Sequence, residues 1–258
     1  MTNQEILKAA MRQSAIDLHC NEGDFLLQKN KVVLSAADPA ARKYLELPFS
    51  CHLVSYGNNI VASVQEQYRD IVARYIEQYP VEHCFETPHM HVLNDALQEQ
   101  GLRICFMAEY FLPDINLLKK QECNFELRLL HKEDFAELYV DAWSNALCEK
   151  RKNLDVLGVG AYDGGKLVGL AGCSADCDGM WQIGVDVLPE YRRQGIAIAA
   201  TGRLALEIIA RDKVPFYCAA WSNIRSVRNA VASGFRPAWV EMTARSREFV
   251  GEMNRKMF

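Results

Sequence analysis

The sequence has no run of about 18 apolar residues, which argues against a helical membrane span. Its first stretch, MTNQEILKAAMRQSAIDLHC, holds no unbroken apolar core, so a signal peptide is not expected. It has no surplus of positive charge. Lys and Arg number 29 against 33 Asp and Glu, for a net charge of −4, and the pI is about 5.9. A basic surface for nucleic acid is therefore not expected. There is no CxxC pair. Cys173 and Cys177 stand as CxxxC, and His83, Cys84, His89 and His91 match no standard zinc spacing, so no metal is expected. Both the GK[ST] of a Walker loop and the GxGxxG of a dinucleotide fold are missing. A cytoplasmic chain with no membrane or nucleic-acid partner follows.

What is present is a chain of 258 residues, 50% hydrophobic and 24% charged, enough for one large or two modest domains. The nine cysteines lie mostly in apolar runs and read as reduced, buried thiols. The first 15 residues read as a helix, KVVLSA as a strand and DPAARKYLEL as a short helix. CHLVSYG and NIVASV read as strands around a turn, QEQYRDIVARYIEQY and HVLNDALQEQ as helices, and RICFMAEYFL as a strand. The second half reads as strand FELRLL, a helical stretch KEDFAELYVDAWSNALCEK, a hairpin through Gly164-Gly165, and strand MWQIGVDV. Helix GRLALEIIARD, strand FYCAAW, helix IRSVRNAVASG and strand PAWVEMTA close it.

The stretch VLPEYRRQGIAIAA, from Val187 to Ala200, joins a strand to a helix. Pro189 has no N–H and ends the strand pairing. Gly195 lets the backbone turn tightly and approach a ligand, and Ala197 is small for the same reason. The first-turn N–H groups of the helix that follows are a seat for an anion, above all a phosphate. Arg192 and Arg193 raise the local potential. The plainer alternative is a surface turn with an arginine pair.

The pattern VxPxYRxxGIA resembles the coenzyme A pyrophosphate motif of the GNAT superfamily of N-acetyltransferases. The order of elements from about 124 to 245 resembles that family too, and Asn223 to Phe235 looks like its second coenzyme-facing element. The resemblance implies an α/β fold with a mixed sheet, acetyl-coenzyme A as donor and an amine as acceptor. It implies that Val185, Asp186 and Val187 line the donor strand, and that Arg192, Arg193, Gln194, Gly195, Ile196 and Ala197 hold the pyrophosphate. Asn223 and Ser226 would lie near the pantetheine arm, and a main-chain N–H on the Val185–Val187 strand would meet the oxyanion. The family's helix tyrosine is replaced by Ala230, which leaves Ser226 or water as the acid. The base stays open among the Gln182 region, Asp186 and Glu241.

The first half carries an echo. With Val64 under Val187, Tyr68 falls under Tyr191 and Arg69 under Arg192. Under Gly195 and Ala197 lie Val72 and Arg74, whose side chains would block a pyrophosphate. GLRICFMAEY similarly matches GFRPAWVEMT. Two domains are expected, 1–120 as a degenerate GNAT-like half and 121–258 as the acetyltransferase. Such a chain also resembles the bacterial acetyltransferase group that includes the zwittermicin A resistance protein, which implies a small-molecule amine. Trp143, Asp141 and Glu149 are candidates for the acceptor side. A homodimer, a non-catalytic acyl-coenzyme A sensor and an interaction module all remain open.

Overall fold

The computed structural model describes residues 1–256. The chain runs α1 (Asn3–Leu18), β1 (Lys31–Leu34), β2 (Cys51–Ser55), β3 (Val61–Val64), α2 (Arg69–Gln78), α3 (His89–Glu99) and β4 (Leu102–Pro113). It continues as β5 (Glu126–His131), β6 (Asp155–Asp163), β7 (Lys166–Ser174), β8 (Met180–Val187) and α4 (Ile196–Ile209). Last come β9 (Val214–Ala219), α5 (Ile224–Ala232), β10 (Phe235–Ser246) and α6 (Arg247–Lys256). The fold is mixed α/β, as expected. It divides into two compact units. One holds residues 1–10 and 110–237, the other 11–109 and the chain from 238 on. A cut between 120 and 121 does not separate these units, because β4 and β10 each begin in one and end in the other.

In the unit built on 11–109, β1 lies parallel to β3 from Lys31↔Val61 to Leu34↔Val64. β2 pairs antiparallel with β3 and with β10. Leu53, Ile60, Val72, Ile76, Leu93 and Leu97 are fully buried there, each contributing about 1.5–3 kcal/mol of hydrophobic stabilisation. Beside this core lies an ionic network. Arg42 donates to Asp17 and to Glu241 Oε1 at 2.7 Å, and Trp239 Nε1 donates to the same oxygen at 2.8 Å. His52 lies 3.2 Å from Glu241 Oε2. Burial pushes the Glu241 carboxyl up, but Arg42, His52 and Trp239 outweigh it and hold the group well below its ordinary value. Segment 38–47 forms turns, not the expected helix. The Arg42 main-chain N–H goes to Asp17 Oδ1 at 2.9 Å, so a carboxylate from α1 takes a donor a helix would use.

In the unit built on 110–237, β5, β6, β7 and β8 form an antiparallel ladder, β8 continues parallel to β9, and the end of β4 follows β9. One face is covered by α4, where Ala200, Leu204 and Ile208 meet Val159, Ile183 and Phe235. The other face is covered by residues 132–151. The sequence predicts a helix here, but three short 3-10 turns form instead, at Lys132–Phe135, Asp141–Trp143 and Glu149–Arg151. Carboxylates from the sheet take the main-chain donors. Asp186 accepts from the N–H of Asn145 and Ala146, and Asp155 from that of Cys148. α6 was not expected from the sequence.

A row of glycines makes room for that cover. Gly158, Gly172 and Gly184 are cross-strand partners on β6, β7 and β8. A Cβ on Gly184 would stand 1.8 Å from the Asn145 carbonyl oxygen, and one on Gly172 2.2 Å from that of Ala146. Glycine inside a strand here marks a close approach of another backbone.

Candidate active site

The site grows from the end of β8. Its parallel ladder to β9 stops at Ile183↔Tyr217, while β8 runs on to Val187. Toward β7 the pairing continues to Gly169↔Val187, and Leu188 N–H donates to Val168 at 3.0 Å. Antiparallel pairing alternates, so Gly184 and Asp186 turn their main-chain groups to β7. Val185 and Val187 turn theirs the other way, into the opening beside β9. The Val187 carbonyl there accepts from Arg192 Nε at 3.2 Å. The Val185 N–H faces the opening.

Beyond Val187 the chain makes a 3-10 turn, Pro189–Tyr191, with Pro189 at its start, where a missing N–H costs nothing. Tyr191 pins that turn. Its hydroxyl donates to Asp163 Oδ2 at 3.1 Å, its ring meets Phe125 edge-on, and Lys166 lies over it. Arg193 and Gly195 then take left-handed backbone, at φ 63° and 79°. Gly195 is the N-cap of α4 and provides no side-chain cap. The first helical bond runs from Ala199 N–H to the Gly195 carbonyl, so the N–H groups of Ile196, Ala197 and Ile198 have no partner within the helix. Arg192, Arg193, Gln194 and Gly195 are exposed, and nothing lies within 4 Å of where a Gly195 Cβ would be. Ile196 is buried against Gly169, whose absent Cβ would sit 2.4 Å from it, so the helix start is fixed to β7.

Across the opening stand β9 and α5. Asn223 caps α5 by accepting from Ser226 N–H at 3.2 Å. The Ser226 hydroxyl is half-buried and 2.8 Å from the Tyr217 hydroxyl. Burial pushes the Tyr217 phenol above its ordinary value, against hydrogen bonds from Ser226 and Asn229. The pattern of FYCAAW shows only a strand, so sequence reasoning missed Tyr217. Ala230 is fully buried.

The structure thus brings together Val185, Val187, residues 192–197, Asn223 and Ser226. Asp186 stands apart from them. Its main chain belongs to the β7 ladder, and its carboxylate accepts from Asn145 N–H at 2.8 Å, Asn145 Nδ2 at 2.7 Å and Ala146 N–H at 2.9 Å. Glu241 lies in the other unit, held in its ionic network. Trp143 is buried, whereas Asp141 and Glu149 are exposed. Among the described residues no group of three or more His, Cys, Asp or Glu is placed to hold a metal ion, and no helix is long and apolar enough to cross a membrane.

An open strand edge, an uncapped helix start and a loop ending on Gly195 meet at the end of β8. The GNAT acetyltransferase family model matches residues 59–238. The chain belongs to the GNAT acetyltransferase family. The chain is also similar, at low identity, to several solved structures. A GCN5-related N-acetyltransferase from Kribbella flavida is 15% identical over 73% of this chain and 81% of its own, with a TM-score of 0.48. A GNAT-family acetyltransferase from Colwellia psychrerythraea is 16% identical over 58% of this chain, with a TM-score of 0.43, and this chain spans only 60% of its length. The aminoglycoside N-acetyltransferase AAC(6')-Iy, solved with CoA, is 16% identical over 47% of this chain and 93% of its own, with a TM-score of 0.36. No curated protein matches the sequence. Acyl transfer is the chemistry of this family, and GNAT proteins draw their acetyl group from acetyl-coenzyme A.

Proposed function

We propose that the protein is an acetyl-coenzyme A-dependent N-acetyltransferase acting on a primary amine of a small molecule. The observation that carries this is the unpaired edge of β8 beside the uncapped start of α4. Main-chain N–H groups at 196–198 would hold the pyrophosphate, with Arg193 adding positive charge. Hydrogen bonds to charged oxygens of this kind contribute about 1.5–3 kcal/mol each. Asn223 and Ser226 would border the pantetheine arm. Acetyl-coenzyme A supplies a thioester when bound. The amine attacks the acetyl carbon, the C–S bond breaks, and the amine nitrogen gives up one proton to water. The Val185 N–H meets the developing oxyanion, a donor worth about 2.7–4 kcal/mol of barrier.

The leaving sulfur needs one proton. Ser226 provides it, and the Tyr217 hydroxyl at 2.8 Å replaces it. Solvent restores the proton after the thiol leaves. Steady release of thiol on addition of primary amines tests this reading. Binding of acetyl-coenzyme A without thiol release from any amine would favour a non-catalytic acyl-coenzyme A sensor. The buried Ala230, where the family often has a tyrosine, is the observation on that side.

A further inference from the structure

The donor strand also carries the opposite wall of the site. Val185 turns its N–H into the β8–β9 opening and packs its side chain toward α4. Asp186, the next residue, alternates to the other face. There its two oxygens take three donors from Asn145 and Ala146. Gly184 and Gly172 lie directly beneath those residues, with no room for even a methyl group. Asn145 is exposed and Asp186 half-buried, so this clamp lies at the surface and not in the core. Asp186 lies on β8 between Val185 and Val187, past the last β9 pairing at Ile183, which places it beside the opening. The face covered by α4 is filled with apolar side chains. That leaves the face covered by residues 143–147 as the acceptor side in this reading.

We propose that Asp186 is a positioning residue for the acceptor: by holding Asn145 and Ala146 on the glycine row it fixes the acceptor wall, and so decides which primary amines reach the thioester. This rests on the acetyl-transfer reading. A carboxylate suits the task because one oxygen can take two adjacent main-chain N–H groups while the other takes the Asn145 amide. An asparagine at 186 has a single acceptor oxygen and cannot serve all three donors.

The test uses the full chain and Asp186→Asn. Three readouts are compared with the unaltered protein: KM over a panel of primary amines, acetyl-coenzyme A affinity by calorimetry, and hydrogen exchange of the 145 and 146 amides. The expected result is a tenfold or greater rise in amine KM with a changed rank order of amines, faster exchange at both amides, and coenzyme affinity within twofold. A merely structural carboxylate would move coenzyme affinity and amine KM together. Asn145→Ala keeps both main-chain bonds and serves if Asp186→Asn does not fold, with a threefold rise in amine KM expected. Unchanged amine KM and rank order in the folded variant would overturn the proposal while leaving the acetyl-transfer reading intact. An unaltered protein that binds no acetyl-coenzyme A would overturn that reading itself.

Discussion

β3 with α2, and β8 with α4, follow one plan at an offset of 123 residues. β3 ends at Val64 and β8 at Val187, and 3-10 turns follow at Glu66–Tyr68 and Pro189–Tyr191. There the two part. α2 starts at once, at Arg69, whereas residues 192–195 intervene before α4 starts at Ile196. The strand edges differ too. β1 pairs with β3 through its last residue, and Ser35 N–H closes the end on the Val64 carbonyl at 2.8 Å. β9 leaves β8 at Ile183. In the proposed reading, a strand, a turn and a helix are therefore not enough to make a coenzyme seat: it takes a withheld strand pairing and a short left-handed loop, which among the described residues the β8–α4 crossing has and the β3–α2 crossing lacks.

The largest effect expected lies in the unit without the proposed seat. Glu241→Gln leaves Arg42 short of a buried charge partner and should cost about 3–5 kcal/mol of stability by chemical denaturation. Acetyl-coenzyme A affinity of the folded protein should not change. The Glu241 carboxyl is lowered from 4.5 in the folded chain, so its contribution is complete above that pH and is lost as pH falls below it. Thermal midpoints should drop on acidification below about 4.5, and less steeply in Glu241→Gln.

Next comes Gly195→Glu, which puts an anion and a side chain where the offset places Val72 in the other unit. Acetyl-coenzyme A affinity should fall about 100-fold or more, as expected from losing one or two charged hydrogen bonds. Gly184→Ala should be milder. The matching residue is Val61, fully buried and harmless where it stands, but at 184 the methyl would collide with the Asn145 carbonyl. A loss of about 1–3 kcal/mol is expected from overpacking, read from thermal melts, with a displaced acceptor wall. Smallest is Tyr217→Phe. It should lower kcat about tenfold, with Ser226→Ala similar and the double variant little worse, because both act on one proton.

Much of this was legible in the sequence. Pro189, Gly195 and Ala197 punctuate the loop, and Val72 and Arg74 mark its absence in the other half. The elements from β6 to α5 follow from alternation and helical spacing. The cover over residues 132–151 was not legible, because Asp155 and Asp186 override its helical periodicity from distant strands. Nor was the Tyr217–Ser226 pair, which depends on how β9 and α5 face each other. The glycines at 158, 172 and 184 were visible, but their cross-strand alignment needs the register. The two compact units were hidden because β4 and β10 cross between them, and no local signal marks such a crossing.

The most direct test of the central difference is a calorimetric titration of the full chain with acetyl-coenzyme A and with acetyl-pantetheine, which lacks the pyrophosphate. One site per chain is predicted, weakened about 100-fold or more without the pyrophosphate and lost to the same extent in Gly195→Glu. Two sites per chain, or equal affinity for both ligands, would contradict the assignment of the seat to β8 and α4 alone.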